Sequence, residues 1–114
     1  MIELQEIQIP TDCRIIHHEF YTYEPETEIE EELNHKYLSE NLFQCIFPEH
    51  HLKIDLGWYG NYSSRSGEFR IQLIVNENWE HPFNTIYSKS AMEVKGLLHN
   101  IFKYYSSFEF DVEN

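Results

Sequence analysis

A chain of 114 residues, 41% of them hydrophobic and 16% aromatic, has the length and composition of one globular domain covering residues 1–114. It carries 20 acidic and 8 basic residues, a formal charge of −12 with neutral histidines. Because nucleic acids and anionic membranes are bound through clustered Lys and Arg, this charge argues against either as a direct ligand.

The acidic residues are concentrated at the start of the chain, where residues 1–40 hold 11 acidic and 2 basic residues. A surface of this kind attracts a basic partner and speeds the encounter with it. Simple solubility is the alternative explanation for the same charge. The sequence therefore predicts either a basic protein partner or a solvated acidic face.

The compartment is predicted from two patterns. No apolar run approaches the roughly 18 residues of a membrane span, and the start "MIE" lacks the basic residues of a signal peptide. We therefore expect a cytoplasmic protein. Cys13 and Cys45 are the only cysteines, and in that compartment two reduced, buried thiols are favoured over a disulfide.

The acidic first part of the chain predicts two strands and a short helix. The segment "IELQEIQI" shifts its alternation phase, which indicates a bulged or irregular strand, and "CRIIHHEFYTY" has the composition of a strand. "TEIEEELNHKYL" predicts an acidic helix near residues 28–38 with Thr27 and Glu30 as a capping pair. Its acidic residues come first and His35 and Lys36 last, as the helix dipole favours. A solvated acidic loop is the alternative for this segment.

Residues 42–75 predict a three-stranded antiparallel meander. "HLKIDLGWY" and "EFRIQLIVN" alternate apolar and polar residues, apart from Ile74, and "NLFQCIF" places Phe, Cys and Phe on one face. "PEHH" and "GNYSSRSG" have turn composition. Within "GWYG" we expect Trp58 to be buried and the glycines to relieve crowding. Tyr59 then lies on the opposite face, where an aromatic residue can anchor an interface.

The remainder of the chain predicts a connection and a C-terminal helix. "ENWEHPFNTIY" has the composition of a connection, and Ser90 with Glu93 forms a capping box before an amphipathic helix over residues 91–105. The tail "FEFDVEN" is either a short strand or frayed. The predicted fold class is α+β: a twisted antiparallel sheet of four to five strands packed by the C-terminal helix, with a short acidic helix near residues 28–38.

The seven histidines are candidates for metal binding or catalysis. His17 and His18 are adjacent on a strand, so their side chains point to opposite faces. His50 and His51 lie beside a turn, but no Cys or carboxylate is spaced to complete a zinc site. Cys45 falls within an apolar alternation, where a thiol is usually buried and inert. We therefore assign no catalytic, cofactor-binding or metal-binding residue.

A family resemblance covers about residues 41–105. The segments "LFQCIFPEHHLKIDLGWYG" and "GEFRIQLIVNENWEHPF", followed by a capped amphipathic helix, resemble small immunity proteins of bacterial polymorphic toxin systems. The nearest resemblance is to CdiI-type immunity proteins of contact-dependent growth inhibition. Related sequences often have Pro after the Tyr of this motif, where this chain has Gly60. The acidic first forty residues lie outside the resemblance.

The resemblance implies a non-enzymatic inhibitor that binds a cognate toxin domain in the cytoplasm. Such a toxin is the C-terminal domain of a large secreted protein and is commonly a nuclease with a basic substrate groove, which an acidic inhibitor complements. The alternatives are a small hydrolase with a His and acid pair, and an acidic adaptor or nucleic-acid mimic outside a toxin system. The predicted partner-binding residues are Tyr21, Tyr23, Glu24, Glu26, Glu28, Glu30, Glu31 and Glu32, followed by Asp55 and Tyr59.

Overall fold

A computed structural model describes residues 1–25, 30–62 and 66–106 of the chain. The fold class is α+β, as predicted: a five-stranded antiparallel sheet and a C-terminal helix, with strand order β1-β2-β3-β4-β5. The elements in chain order are β1 (Arg14–His18), α1 (Glu31–Tyr37), β2 (Phe43–Phe47), a 3₁₀ turn (Pro48–His50), β3 (Leu52–Tyr59), β4 (Glu68–Val75), β5 (Asn84–Ser88) and α2 (Ala91–Tyr105).

The predicted central meander is confirmed, with its apolar residues on one face. Cys45 of β2 lies opposite Ile54 of β3, and Ile54 lies opposite Leu73 of β4. All three side chains are at most 2% exposed. The period-two alternation therefore places one continuous row of apolar side chains beneath the sheet.

The Gly-Trp-Tyr-Gly stretch has a structural use at Trp58. Its side chain is 3% exposed, lies opposite Phe69, and stacks on Tyr62 with 5.5 Å between ring centroids. A Cβ atom on Gly67 would lie 1.9 Å from the Trp58 ring. The absence of a side chain at Gly67 is therefore what makes room for the indole.

Helix α2 covers the apolar face of the sheet. Its buried residues belong to the same core cluster as the strand residues. The Ser90 hydroxyl accepts from the Glu93 backbone N–H at 3.2 Å, as a capping box requires. The second hydrogen bond of a capping box would run from the Ser90 N–H to the Glu93 carboxylate. Here the Ser88 hydroxyl donates to that carboxylate instead, so this part of the prediction is wrong. No helix in the described part of the chain is long and apolar enough to span a membrane.

Two predictions for the strands are corrected. The stretch predicted as a connection contains β5, because Asn84–Ser88 completes the sheet beside β4. Of the two forms predicted for "IELQEIQI", the bulged strand is wrong and the irregular one is nearer, since the segment makes one isolated bridge, between Leu4 and Tyr21. The bulge lies instead within β1, where the register shifts between Ile15 and His17.

The acidic helix is shorter than predicted. It begins at Glu31, and Glu30 occupies the N-cap position without a side-chain cap bond. Its order of charges agrees with the prediction, with Glu31 and Glu32 in the first turn and basic residues in the last. Thr27 of the predicted capping pair and the predicted tail strand lie outside the described residues. Cys13 and Cys45 are buried free thiols, as predicted.

Candidate functional site

The sheet face opposite α2 carries several polar side chains and is called the open face below. The same alternation that buries Cys45, Ile54 and Leu73 turns Gln44, Asp55 and Arg70 toward this face. Gln44 lies opposite Asp55, whereas Arg70 lies opposite Gly57, two residues further along β3. The open face is therefore a polar surface built on a rigid sheet.

A small pocket opens on this face around Asp55. It encloses about 230 Å³ and is lined by His17, Asn41, Phe43, Gln44 and Asp55. Asp55 is 7% exposed, and the Gln44 Nε2 donates to its Oδ1 at 3.0 Å. Burial raises the pKa of the Asp55 carboxyl, while the Gln44 hydrogen bond and the nearby His17 act in the opposite direction. This Asp55 pocket is an acceptor site whose charge is poorly solvated.

His17 forms one wall of the Asp55 pocket and is oriented by backbone and charge. The bulge in β1 places it opposite Gln44. Its Nε2 donates to the Asn41 carbonyl oxygen at 3.0 Å and lies 3.5 Å from Glu19 Oε1. The adjacent His18 points to the other face, as predicted, where its ring contacts Phe43. The two histidines therefore have separate roles.

Tyr59 of β3 and Arg70 of β4 lie on the same face of the sheet as Asp55, with Tyr59 beyond Gly57 along β3. The Arg70 guanidinium lies 4.5 Å from the Tyr59 ring centroid and 5.8 Å from that of Tyr87, and its Nε bonds Glu68 at 3.1 Å. Burial raises the pKa of Tyr59, and the carboxylates of Asp55 and Glu40 add to the rise, against the effect of Arg70. Tyr59 is therefore in the electrostatic field of the acidic pocket.

The backbone of Glu40, next to the pocket residue Asn41, packs against β3. A Cβ atom on Gly57 would lie 2.4 Å from the Glu40 carbonyl oxygen, and the Trp58 N–H donates to the Ser39 carbonyl at 2.7 Å. The segment after α1 thus crosses β3 at a position where only glycine fits. This crossing connects α1 to the Asp55 pocket.

Helix α1 is fixed by aromatic and amide contacts. Tyr37 lies 5.2 Å from the Tyr21 ring, and the Tyr23 hydroxyl donates to the Asn34 side chain. The Asn34 Nδ2 in turn donates to the Tyr62 carbonyl at 2.5 Å. Helix α1 has only seven residues. These contacts are at least partly buried, and they hold this short helix against the body of the protein.

A second concavity, called the α1 groove, lies beside this helix. It encloses about 260 Å³ and is lined by Glu19, Tyr21, His35, Lys36, Tyr37, Leu38, Ser39 and Leu42. Glu19 also contacts His17, which lines the Asp55 pocket. The groove and the pocket are therefore neighbours, joined by the contact between Glu19 of the groove and His17 of the pocket.

The structure brings together part of the predicted partner-binding set. Glu30, Glu31 and Glu32 are exposed at the start of α1, and Tyr21 is half-buried in the α1 groove. Asp55 and Tyr59 lie on the open face, on the far side of Glu19 and His17. Glu26 and Glu28 lie outside the described residues.

Tyr23 and Glu24 have structural roles instead. Tyr23 is 2% exposed in the core. The Glu24 carboxylate accepts from the backbone N–H groups of Ala91 at 2.8 Å and Met92 at 2.7 Å, and so caps α2. We leave both residues out of the candidate surface because their polar atoms are already used within the fold.

Sequence reasoning missed four members of the site. His17, Glu19, Asn41 and Gln44 were not predicted to bind a partner. Gln44 had a usable signal, since it occupies the polar phase of β2 opposite Asp55. His17, Glu19 and Asn41 reach the site through the bulge in β1 and the crossing after α1. No local sequence pattern predicts either feature.

Two further histidines, His18 and His50, are tied into the fold. His50 Nε2 donates to the Tyr105 carbonyl at 2.9 Å, and His18 Nε2 donates to the Gln5 carbonyl at 2.8 Å. Across residues 1–25, 30–62 and 66–106, no group of three or more His, Cys, Asp or Glu side chains is placed to hold a metal ion. His17, His18 and His50 thus each donate a hydrogen bond to a backbone carbonyl oxygen.

No family model, curated protein or solved structure matches this chain. The resemblance to immunity proteins therefore stays a prediction that rests on short motifs.

Proposed function

We propose that this protein is an immunity protein that binds a cognate toxin domain in the cytoplasm and blocks its active site or the approach of its substrate. The toxin is the C-terminal domain of a large secreted protein, and a basic nuclease fits best. The inhibitor contributes no chemistry of its own. Its binding surface consists of the exposed carboxylates of α1, the α1 groove and the Asp55 pocket.

The observation that supports the proposal is the adjacency of exposed and buried carboxylates. Glu30, Glu31 and Glu32 present negative charge to solvent next to the α1 groove, and Glu19 connects that groove to the Asp55 pocket. Exposed charges steer a basic partner over a distance, whereas a desolvated charge pair fixes register at contact. An acidic inhibitor of a phosphate-binding groove needs both properties.

Asp55 is the acceptor best suited to a basic side chain of the partner. The Gln44 amide donates one hydrogen bond to a carboxylate that has about four acceptor positions. A Lys or Arg side chain entering the pocket would supply the missing positive charge, and Tyr59 would pack against its stem. A fully desolvated charge pair with an aromatic neighbour is a typical energetic hot spot.

The geometry around His17 favours binding over catalysis. Its Nε2–H is used on the Asn41 carbonyl, and its second contact is Glu19. A general base requires a free ring nitrogen in reach of the substrate and an acid partner that orients the ring. Within the described residues His17 and Asp55 are not hydrogen-bonded to each other, so the pair lacks the hydrogen bond that a catalytic dyad uses.

The experiment is a titration of this protein with the C-terminal domain of the large secreted protein encoded beside it. We expect a one-to-one complex by isothermal titration calorimetry and loss of the toxin domain's nuclease activity at the same molar ratio. Asp55→Asn should weaken that complex. An adjacent product that is acidic, or one that does not bind, contradicts the proposal.

A small hydrolase is the second candidate, favoured by the raised pKa of Asp55 next to His17 in a pocket. This candidate predicts turnover of phosphoester or glycoside substrates by the purified protein, lost in His17→Ala. Turnover with that dependence would replace the binding proposal. Absence of turnover together with stoichiometric toxin binding removes the hydrolase.

A further inference from the structure

The two edges of the sheet differ in how they are protected. Strand β1 carries a bulge between Ile15 and His17 and the basic residue Arg14. Bulges and charges on an edge strand are the devices that prevent pairing with another chain. Strand β5 has neither, since "NTIYS" is uncharged and pairs with β4 through five consecutive residue pairs without a register shift.

Exposed aromatic side chains accompany the unprotected edge. Phe83 is 66% exposed and Tyr87 is 58% exposed, and with Thr85 they follow the period of two that places them on the open face. Within the described ranges β5 has a neighbouring strand on one side only. The free side of β5 is thus a backbone edge bordered by apolar area.

We propose that β5 pairs in antiparallel fashion with β5 of a second copy of this protein, about a two-fold axis through Ile86. The two sheets then form one continuous sheet of ten strands. Thr85 lies opposite Tyr87 of the second copy, and Asn84 lies opposite Ser88 of the second copy. The contact is isologous, so it closes at a dimer and leaves no further edge of this kind.

The sequence of β5 suits pairing with itself. The two-fold places no like charges opposite one another, and it creates two pairs of an aromatic with a β-branched residue, which stabilise antiparallel sheets. The same operation on β1 is opposed by the bulge between Ile15 and His17, which interrupts the regular pairing that two copies of the strand would need. Self-pairing is therefore favoured at one edge and opposed at the other.

Charge on this side of the molecule does not oppose self-association. Residues 66–106 contain four acidic and four basic residues, although the whole chain carries −12. Two copies meeting along β5 bring their neutral parts together and keep the acidic parts apart. The Asp55 pocket is formed by residues from β1, β2 and β3 and the segment before β2, so a β5 dimer leaves it open to a partner.

The test is the mass of the purified protein in solution, measured by sedimentation over micromolar to millimolar concentrations. We expect the mass to rise from 13.8 kDa toward twice that value. The variants Thr85→Lys/Tyr87→Lys and Thr85→Glu/Tyr87→Glu set like charges opposite one another and should each remain monomeric. Mixed one to one, they should form a heterodimer, because Lys then faces Glu across the axis.

Ile16→Lys on β1 is the matched control, since Ile16 is 51% exposed on the other edge. It should leave the dimer unchanged. A wild-type mass that stays at 13.8 kDa at every concentration overturns the proposal. Charge variants that keep the native circular dichroism spectrum and still dimerise alone overturn it as well, because the contact then lies elsewhere. The wild-type measurement decides the matter even where a variant fails to fold.

Discussion

The burial of Asp55 disfavours the charged form of its carboxyl group. Its side chain is 7% exposed, and burial raises its pKa above the ordinary value of 3.8. A carboxyl group whose pKa is raised on folding loses its stabilising contribution as the pH rises through the folded-state pKa, since the folded protein must then hold a buried carboxylate. A residue that lowers stability on a binding surface is typical of function.

Asp55→Asn should therefore stabilise the folded protein at pH 7. Asparagine keeps an oxygen that can accept from Gln44, and it removes the buried charge. At a pH well below 3.8, Asp55 is protonated in both states, and the difference from wild type should vanish. Urea denaturation at the two pH values measures this, with the exposed Glu49→Gln as control. A variant less stable than wild type at pH 7 would contradict the account.

Glu24 is a second carboxylate with a defined structural use. It accepts from two backbone N–H groups at the start of α2, and the Ser90 hydroxyl donates to it at 3.2 Å. Glu24→Ala should lower the free energy of unfolding by about 1–2 kcal/mol, because the freed amides lose charged acceptors. Chemical denaturation checks this against Glu6→Ala, an exposed acid of similar length. Equal stability of the two variants would show that Glu24 is not a cap.

Among the elements, those with a long periodic pattern were predictable from sequence. Strands β3 and β4 alternate over eight residues each, and α2 runs for fifteen residues on a helical repeat behind a capping Ser90. Local pattern and tertiary burial agree there, so the predicted bounds match. The same agreement fixed Trp58 as a core residue, because it continues the apolar phase of β3.

Shorter elements and the site itself depended on tertiary contacts. Strand β5 has five residues after Pro82, too short for alternation to distinguish it from a connection. The sequence places the start of α1 too early because Thr27 and Glu30 have the spacing of a capping pair, whereas Asn34 and Tyr62 fix the helix position through a long-range hydrogen bond. Asp55 and Tyr59 were predictable by phase, but His17 and Asn41 join them only through the fold.

Replacing two of the glycines by alanine should change the stability of the protein in opposite directions. A Cβ atom on Gly57 would lie 2.4 Å from the Glu40 carbonyl oxygen, which is backbone and cannot easily move, whereas a Cβ on Gly96 of α2 would meet nothing within 4 Å. We expect Gly57→Ala to destabilise the protein by about 1–3 kcal/mol through overpacking. Gly96→Ala should stabilise it by about 0.5–1 kcal/mol through helix propensity. Thermal and urea denaturation measure both, and the same sign for the two variants would contradict the packing described.

At the scale of the whole molecule, charge divides the chain into two parts. Residues 1–40 carry 11 acidic and 2 basic residues, while residues 66–106 carry equal numbers. The acidic part supplies α1, most of the α1 groove and the His17 wall of the Asp55 pocket, and the neutral part supplies β5 and α2. One side of the molecule is thus suited to a basic partner and the other to a second copy.

Association with the proposed toxin domain should slow as salt is added. Steering acts between exposed charges, and these are screened within about 8 Å at physiological ionic strength. We expect the association rate constant to fall about tenfold or more between low and physiological salt, with a smaller change in the dissociation rate constant. Stopped-flow mixing measures both constants. An association rate independent of salt would mean that the acidic surface does not guide the encounter.

The most direct measurement compares two charge-reversal variants of equal net charge. Glu31→Lys/Glu32→Lys changes the exposed start of α1, and Glu49→Lys/Glu80→Lys changes exposed acids in the turns after β2 and β4. Affinity for the toxin domain is measured by calorimetry, and circular dichroism confirms that both variants fold. The account predicts that the α1 variant loses affinity by about a hundredfold, in the range of disrupted charge contacts, while the other stays near wild type. Equal losses in both variants, or no loss in either, would contradict it.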